Sequence, residues 1–242
     1  MTDELHEPII IDNGTNTIKA GFSDDDMPRV VIPTVLGEPI LNQGQQIEEE
    51  DKNEQLDIFV GEEALNKGGT LRLIRPIEKG IIKPEEYGTI ALIWKHIFYN
   101  ELLAEPKNHP VIVTEAPFAD YNNRMEMAKI LFDNLGVESL YITNNSTLAL
   151  YANGKTTGTV VDIGYETTSF VPIYEGFALN HAVNYIDIGG RDLTDYFCKI
   201  ISEHEPRAKE PNKLFTGESE KAMINDLKEK ICEVAEDYDS QI

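Results

Sequence analysis

Two short segments of this chain each set a carboxylate beside a glycine-bearing turn: Ile9-Ile10-Ile11-Asp12-Asn13-Gly14 and Thr159-Val160-Val161-Asp162-Ile163-Gly164. In both, three strand-forming residues lead into the aspartate and the glycine follows two positions later. A second strand-like run completes the pattern, over residues 9–22 and 159–173. A tight turn of this kind presents backbone N–H groups that suit an anion, and a carboxylate at a strand end suits a hydrated cation. Two such hairpins facing each other would gather two carboxylates and two N–H loops around one point, a site for a metal-bound polyphosphate. Either copy alone also reads as an ordinary hairpin, because Asp-Asn-Gly between apolar runs is turn chemistry. The repetition turns a local signal into one about the fold. Lys19, in the second run of the first copy, is a candidate phosphate ligand or else a plain surface lysine.

Periodicity predicts the elements that must hold these turns. Behind Pro84, the spacing of Tyr87, Ile90, Ala91, Ile93, Trp94, Ile97, Phe98 and Leu102 marks one face of a helix, with Trp94 and Phe98 in the core rather than on a stacking platform. Val111-Ile112-Val113-Thr114 reads as a buried strand, followed by a helix over 122–135 that ends at Gly136, with Met125 and Met127 filling gaps. Leu140-Tyr141-Ile142-Thr143 reads as another strand, leading to a short helix over 145–153 closed by Gly154. Residues 28–33 and 58–61 read as short strands. Between them, 37–57 is polar and acidic and includes Glu48-Glu49-Glu50-Asp51, which predicts a solvated loop or a partner-binding one. After the second hairpin come a strand over 181–187, a tight turn at Gly189-Gly190, and helices over 192–204 and 221–238. The last carries Met223, Ile224, Leu227, Ile231, Val234 and Ala235 on one side. Strands alternating with helices after an opening hairpin predict an α/β fold with a mixed sheet flanked by helices.

Composition sets outer limits. A chain of 242 residues, 41% hydrophobic and 8% aromatic, has ample material for one large core or two small ones. A net charge of -22 argues against a broad basic face for nucleic acid, so any nucleotide must be held locally by backbone amides, a few lysines and a divalent cation. Cys198 and Cys232 form no disulfide framework and read as buried free thiols of a reducing compartment. The five histidines make no metal-ligating spacing. Residues 1–8 lack the basic and apolar regions of a secretory signal, and no apolar run reaches membrane-spanning length. The sequons at Asn144 and Asn145 therefore read as chance.

Beyond the twin turns, several ordered segments carry a family pattern. They are Asp12-Asn13-Gly14 with Lys19-Ala20-Gly21-Phe22, Gly61-Glu62-Glu63-Ala64, Pro76-Ile77-Glu78-Lys79-Gly80, Phe98-Tyr99-Asn100-Glu101-Leu102 and Thr114-Glu115-Ala116-Pro117. Pro172-Ile173-Tyr174-Glu175-Gly176, Gly190-Arg191-Asp192-Leu193-Thr194-Asp195-Tyr196 and Lys228-Glu229-Lys230 follow. Through them the chain resembles actin and the actin-related proteins over essentially its whole length. The resemblance implies the actin-like ATPase (ribonuclease H-like) fold, two related halves closing over Mg2+ with ATP or ADP. It implies that Gly14, Thr15, Asn16 and Lys19 hold phosphates, with Gly164 and its loop closing from the other side. Asp12 and Asp162 would hold the metal through water, Gly190 would let backbone approach the nucleotide, and Lys228 and Glu229 would face adenosine. The implied divisions are 1–36 with the first hairpin, 37–75 as a small second subdomain, 76–150 as the remainder of the first, and 151–242 as the third and fourth with the second hairpin.

The departures from that pattern shape the expected function. Tyr165 and Glu166 stand where actin has aspartate and glycine, so the second loop is expected to approach phosphate less closely. Asn145 stands at the water-positioning glutamine and Ser169 at the histidine that assists it. Because in-line attack tolerates little misplacement, catalysis through Asn145 and Asp162 is expected to be slow or absent. The acidic stretch rewrites a filament-contact region, and the sequence stops inside the fourth subdomain. That leaves the fold incomplete at the C-terminal side, as a fragment or with apolar surface for other protein subunits to cover. The expected function is an actin-related, nucleotide-binding structural subunit of a larger multiprotein complex, cytoplasmic and cytoskeletal or nuclear, with no direct nucleic-acid or membrane contact. A filament-forming cytoskeletal actin with ATPase activity is the alternative, and a small-molecule kinase of the same superfamily is disfavoured by the specific segments.

Overall fold

The first hairpin seeds the main sheet. In the computed structural model, which describes residues 7–40, 57–67, 69–204 and 217–241, strand β1 (Ile9–Asn13) pairs antiparallel with β2 (Thr17–Phe22), setting Asp12 across from Lys19. Alternation decides the faces: Ile9 and Ile11 are buried, while Ile10 and Asp12 share the other, half-buried face. Strand β3 (Val30–Pro33) extends the sheet beyond β2. Strands β4 (Leu36–Pro39), β5 (Phe59–Val60) and, after helix α1 (Glu62–Asn66), β6 (Leu71–Ile74) form a separate three-stranded sheet in the order β5-β4-β6. A two-stranded ribbon, β7 (Ile77–Glu78) and β8 (Ile81–Ile82), follows.

Helix α2 (Tyr87–His96) leads to β9 (Pro110–Glu115), and α3 (Tyr121–Lys129) leads to β10 (Ser139–Asn144). Strand β9 runs parallel to both β1 and β10, completing a mixed sheet in the order β10-β9-β1-β2-β3. Parallel neighbours need a crossover, and α3 supplies the one between β9 and β10. The fully buried Trp94, Ile97 and Phe98 belong to one core cluster with Ile9, Ile11 and Val113. Burying side chains of this size from both layers is the main drive for helix docking. Asp120 caps α3 by accepting the Asn123 N–H at 2.8 Å, and Asn144 caps α4 (Asn145–Ala152) by accepting the Thr147 N–H at 3.2 Å.

The second hairpin joins β11 (Gly158–Ile163) to β12 (Thr168–Tyr174) and sets Asp162 across from Ser169. Strands β13 (Phe177–Ala178) and β14 (Asn184–Ile186) both add to β12, over a small core of Leu150, Val171 and Ile173. All of this lies in the first of two compact units, Met1–Gly189. The second, Gly190–Ile242, contains α5 (Gly190–His204), α6 (Glu218–Ile231) and α7 (Tyr238–Gln241). No helix among the described residues is long and apolar enough to cross a membrane.

Several expected boundaries move. The segment read as a polar loop from residue 37 begins as strand, since Gly37 to Pro39 pair with β6. Gly37 is where Leu71 packs so closely that a Cβ would sit 2.7 Å from its Cδ1. The acidic run Glu48-Glu49-Glu50-Asp51 lies outside the described residues. Gly190 is the first residue of α5 rather than part of a turn, and His181 sits in a 3-10 turn before the short β14. The last long helix stops at Ile231, so Val234 and Ala235 are not part of an apolar helix face and Val234 is 94% exposed. Met127 fills the core, but Met125 lies on the exposed side of α3.

Helices α2 and α3 both run into a π-helical turn, Ile97–Glu101 and Ile130–Asn134. Each then closes the same way. Leu102 and Ala104 donate to the Ile97 and Phe98 carbonyls at 2.9 Å around a left-handed Leu103. Leu135 and Val137 donate to the Ile130 and Leu131 carbonyls around a left-handed Gly136.

The two cysteines differ from the expectation that both are buried. Cys198 is buried in α5 and its thiol is pushed up by burial, reinforced by Asp195, whereas Cys232 is exposed just past α6. Because the thiolate is the reactive form, iodoacetamide at neutral pH is expected to label Cys232 and to spare Cys198 until urea unfolds the chain. Peptide mass mapping that finds equal labelling in the folded protein would contradict this packing.

Candidate functional site

The loops of the two hairpins line one cavity of about 200 Å³, through residues 14–16 of the first and through Gly164, Tyr165 and Thr167 of the second. Asp12, Gly14, Thr15, Asn16 and Lys19 reach it from the first hairpin, and Asp162 and Gly164 from the second. Asn145, the first residue of α4, joins them, as do Gly80 and Phe118. The first loop is tight enough that a Cβ on Gly14 would lie 2.4 Å from the Thr17 carbonyl oxygen, so only glycine keeps this path. In the second loop the Gly164 N–H donates to the Thr167 carbonyl at 2.8 Å, closing the turn.

Each aspartate is held differently. Asp12 accepts a hydrogen bond from the Thr114 hydroxyl at 2.8 Å through Oδ1 and faces the Lys19 ammonium at 3.3 Å through Oδ2. The Lys19 pair is close to half exposed on both sides, so water screens it and the lysine is held only weakly to the carboxylate. Asp162 Oδ2 accepts from the Asn145 side-chain amide at 2.9 Å, and Asn145 Oδ1 accepts the Ser146 N–H at 2.8 Å. Both ends of the Asn145 amide are thus engaged within the protein. Ser169, opposite Asp162 in the ladder, is buried.

Behind the first hairpin runs a chain of hydrogen bonds that sequence reasoning missed. Asn13 donates its backbone N–H to Thr114 Oγ1 at 2.9 Å and its side-chain amide to the Thr114 carbonyl at 3.2 Å. The Trp94 indole donates to Asn13 Oδ1 at 3.0 Å. From the next segment, Thr34 donates its hydroxyl to the Gly14 carbonyl at 2.7 Å and its N–H to the Asn16 carbonyl at 2.8 Å, with no exposed surface of its own. The signals were present but silent: Thr114 ends an apolar strand whose parallel pairing to β1 no local pattern announces. Trp94 is the core residue its spacing predicts and a donor to the turn as well.

Other expected features take positions of their own. Tyr165 lines the cavity, whereas the Glu166 carboxylate is bound to the Lys79 N–H at 2.6 Å and is not part of the cavity wall. The backbone at Gly189 packs against the Tyr165–Glu166 peptide, where a Cβ would come within 2.5 Å, so the glycine there serves close backbone approach. Gly190, Lys228 and Glu229 belong to the second unit. There Lys228 donates to the Gly190 carbonyl at 2.9 Å and to Thr194 Oγ1 and Asn225 Oδ1 at 3.0 Å, tying α6 to the start of α5. Glu229 is exposed and accepts from Asn225 at 2.7 Å.

The donor set suits one kind of cation. Among the described residues no group of three or more His, Cys, Asp or Glu could hold a metal by itself. Two carboxylates on one cavity, next to a glycine turn that no side chain could occupy, leave most of the coordination sphere to water and to an anionic ligand. That fits a hydrated divalent cation carried on an anionic ligand rather than a protein-enclosed ion.

The orientation of Asp12 depends on the Thr114 hydroxyl, which both accepts from Asn13 and donates to the carboxylate. Replacing Thr114, which is 3% exposed, by isosteric valine is expected to destabilise the fold by about 1–3 kcal/mol, because it strands the Asn13 N–H. Urea unfolding measures this, and an unchanged midpoint would show that the network does not hold the turn.

The comparison with known proteins accords with this geometry: a family model described as Actin matches residues 3–241, nearly the entire 242-residue chain. The chain belongs to the actin family, and its mixed, helix-flanked sheet with twin hairpins is the actin-like fold.

Proposed function

We propose that this chain is an actin-related structural subunit of a larger protein assembly, cytoplasmic and cytoskeletal in setting. It holds a Mg2+-bound adenine nucleotide between its hairpins and hydrolyses it slowly or not at all. Members of the actin family generally bind a nucleotide with a divalent metal. The observation that carries the reading to this chain is that Asp12, Asp162 and the Gly14 turn line one cavity. In this reading the backbone N–H groups of the two loops and Lys19 bind and orient the phosphates, and Asp12 and Asp162 hold the waters of the metal. Mg2+, when bound, neutralises phosphate charge.

Slow hydrolysis rests on Asn145 and Ser169. An attacking water must be held in line by an acceptor, and the Asn145 carbonyl oxygen already accepts from both the Ser146 N–H and the Ser146 hydroxyl, while its NH2 group gives one of its two hydrogens to Asp162. Serine opposite Asp162 provides no imidazole to support such a water. Structural duty in an assembly fits a bound nucleotide that acts as a brace, since ligand binding to the folded state alone stabilises it.

Calorimetry with ADP and ATP, with Mg2+ or with EDTA, tests the site. Asp12→Asn and Asp162→Asn are each expected to weaken Mg2+-dependent affinity by about 10–100-fold, the range for groups that act on a metal through its outer shell. Nucleotide binding that neither variant disturbs would remove the site. Phosphate release and sedimentation test the rest: steady release together with pelleting on ATP addition would establish the filament-forming alternative instead.

A further inference from the structure

The tip of the β7–β8 ribbon touches the loops of both hairpins. Lys79 and Gly80 are its two loop residues, and both have left-handed backbones, φ 51° and 77°, as the tightest hairpin connection requires. Glycine adopts this freely, but lysine does so at a cost, and a strained non-glycine residue beside a cavity calls for a compensating contact. Three such contacts are present. The Lys79 N–H donates to Glu166 Oε2 at 2.6 Å, reaching the second loop. The Gly80 N–H donates to Thr15 Oγ1 at 2.9 Å, reaching the first. The Lys79 ammonium pairs with Asp187 at 2.6 Å, just beyond β14. The hydrogen bond that the Lys79 ammonium donates to Asp187 raises its pKa, so it stays charged throughout the neutral range. Phe118, which lines the cavity with Gly80, stacks on Tyr185 with ring centroids 4.2 Å apart, a tie between the segment after β9 and the sheet of the second hairpin.

We propose that the Lys79–Gly80 tip is a latch that fastens the two hairpin loops to each other, with the Glu166 carboxylate as its catch, so that a nucleotide held between them leaves slowly. The consequence for release rests on the nucleotide reading of the cavity; the latch itself does not. The decisive group is Glu166, because a residue without a side chain there could not reach the ribbon tip. A charged acceptor on a backbone N–H is stronger than a neutral one, and the bond spans 87 residues of chain. The latch also occupies the Thr15 hydroxyl as an acceptor, leaving its proton for a ligand in the cavity.

Two readouts on the full chain separate the parts of this proposal. Hydrogen exchange of the residue-79 amide without nucleotide reads the latch alone, and Glu166→Gly is expected to remove its protection. Release of a fluorescent ADP analogue reads the consequence: Glu166→Gly is expected to speed it about tenfold, the effect of losing one charge-assisted hydrogen bond. Glu166→Gln, which retains an acceptor oxygen without the charge, is expected to give a smaller acceleration. It also keeps the test open if the glycine variant folds poorly. Lys79→Met is expected to leave the residue-79 amide protected, since its N–H remains. Equal amide exchange in the parent chain, Glu166→Gly and Glu166→Gln overturns the latch. Deprotection with an unchanged release rate overturns its role in holding nucleotide. A parent chain that takes up no analogue overturns the nucleotide reading instead, while the amide exchange still decides the latch.

Discussion

Asn13, caught between the Trp94 indole and the hydroxyl and carbonyl of Thr114, decides where the first hairpin can turn. Its three hydrogen bonds tie the end of β1 to the neighbouring strand β9 and to the core helix α2, so the carboxylate one residue earlier cannot swing with the loop. Polar groups removed from water are costly unless they find partners, and the Asn13 N–H, side-chain amide and side-chain oxygen each have one. Packing and chemistry therefore share residues: the same indole that fills the space between helix and sheet orients the glycine turn.

The two hairpins are alike in register and unlike in dress. Asp12 faces Lys19 across its ladder, and Asp162 faces Ser169 across the other. One side of the cavity thus offers an ammonium and the other an uncharged hydroxyl, while the ammonium of Lys79 is committed to Asp187. Coulomb attraction for an anion is lopsided as a result, and the backbone N–H groups of the second loop must supply what side-chain charge does not. In a chain of net charge -22 that local arrangement has to work against the field of the whole molecule.

The elements with strong periodicity were legible in the sequence: both hairpins, α2 with its buried Trp94, β9, β10 and the stop at Gly136 follow from patterns a dozen residues long. What escaped was set by contacts between distant segments. Thr114 and Thr34 look like ordinary strand and loop residues until the chain folds them against Asp12 and Gly14. Glu166 read as a charge that keeps the second loop back from phosphate, yet its side chain reaches the Lys79 N–H, a partner 87 residues away. Helix ends were the other weak point. Ile231 closes α6 although Val234 and Ala235 continue its apolar rhythm, because pattern marks a face and not a boundary.

The matching terminations of α2 and α3 impose an exact residue count. A π-helical turn holds one residue more than an α-helical turn would in the same span, and the left-handed Leu103 and Gly136 then hand the chain on to the buried Ala104 and Val137. Removing a single residue from either turn would swing these small anchors off the interior and carry the following strand out of step. The spacing between helix and sheet is therefore intolerant of indels, and Leu103, 81% exposed in a conformation glycine would favour, is the visible toll of keeping that count.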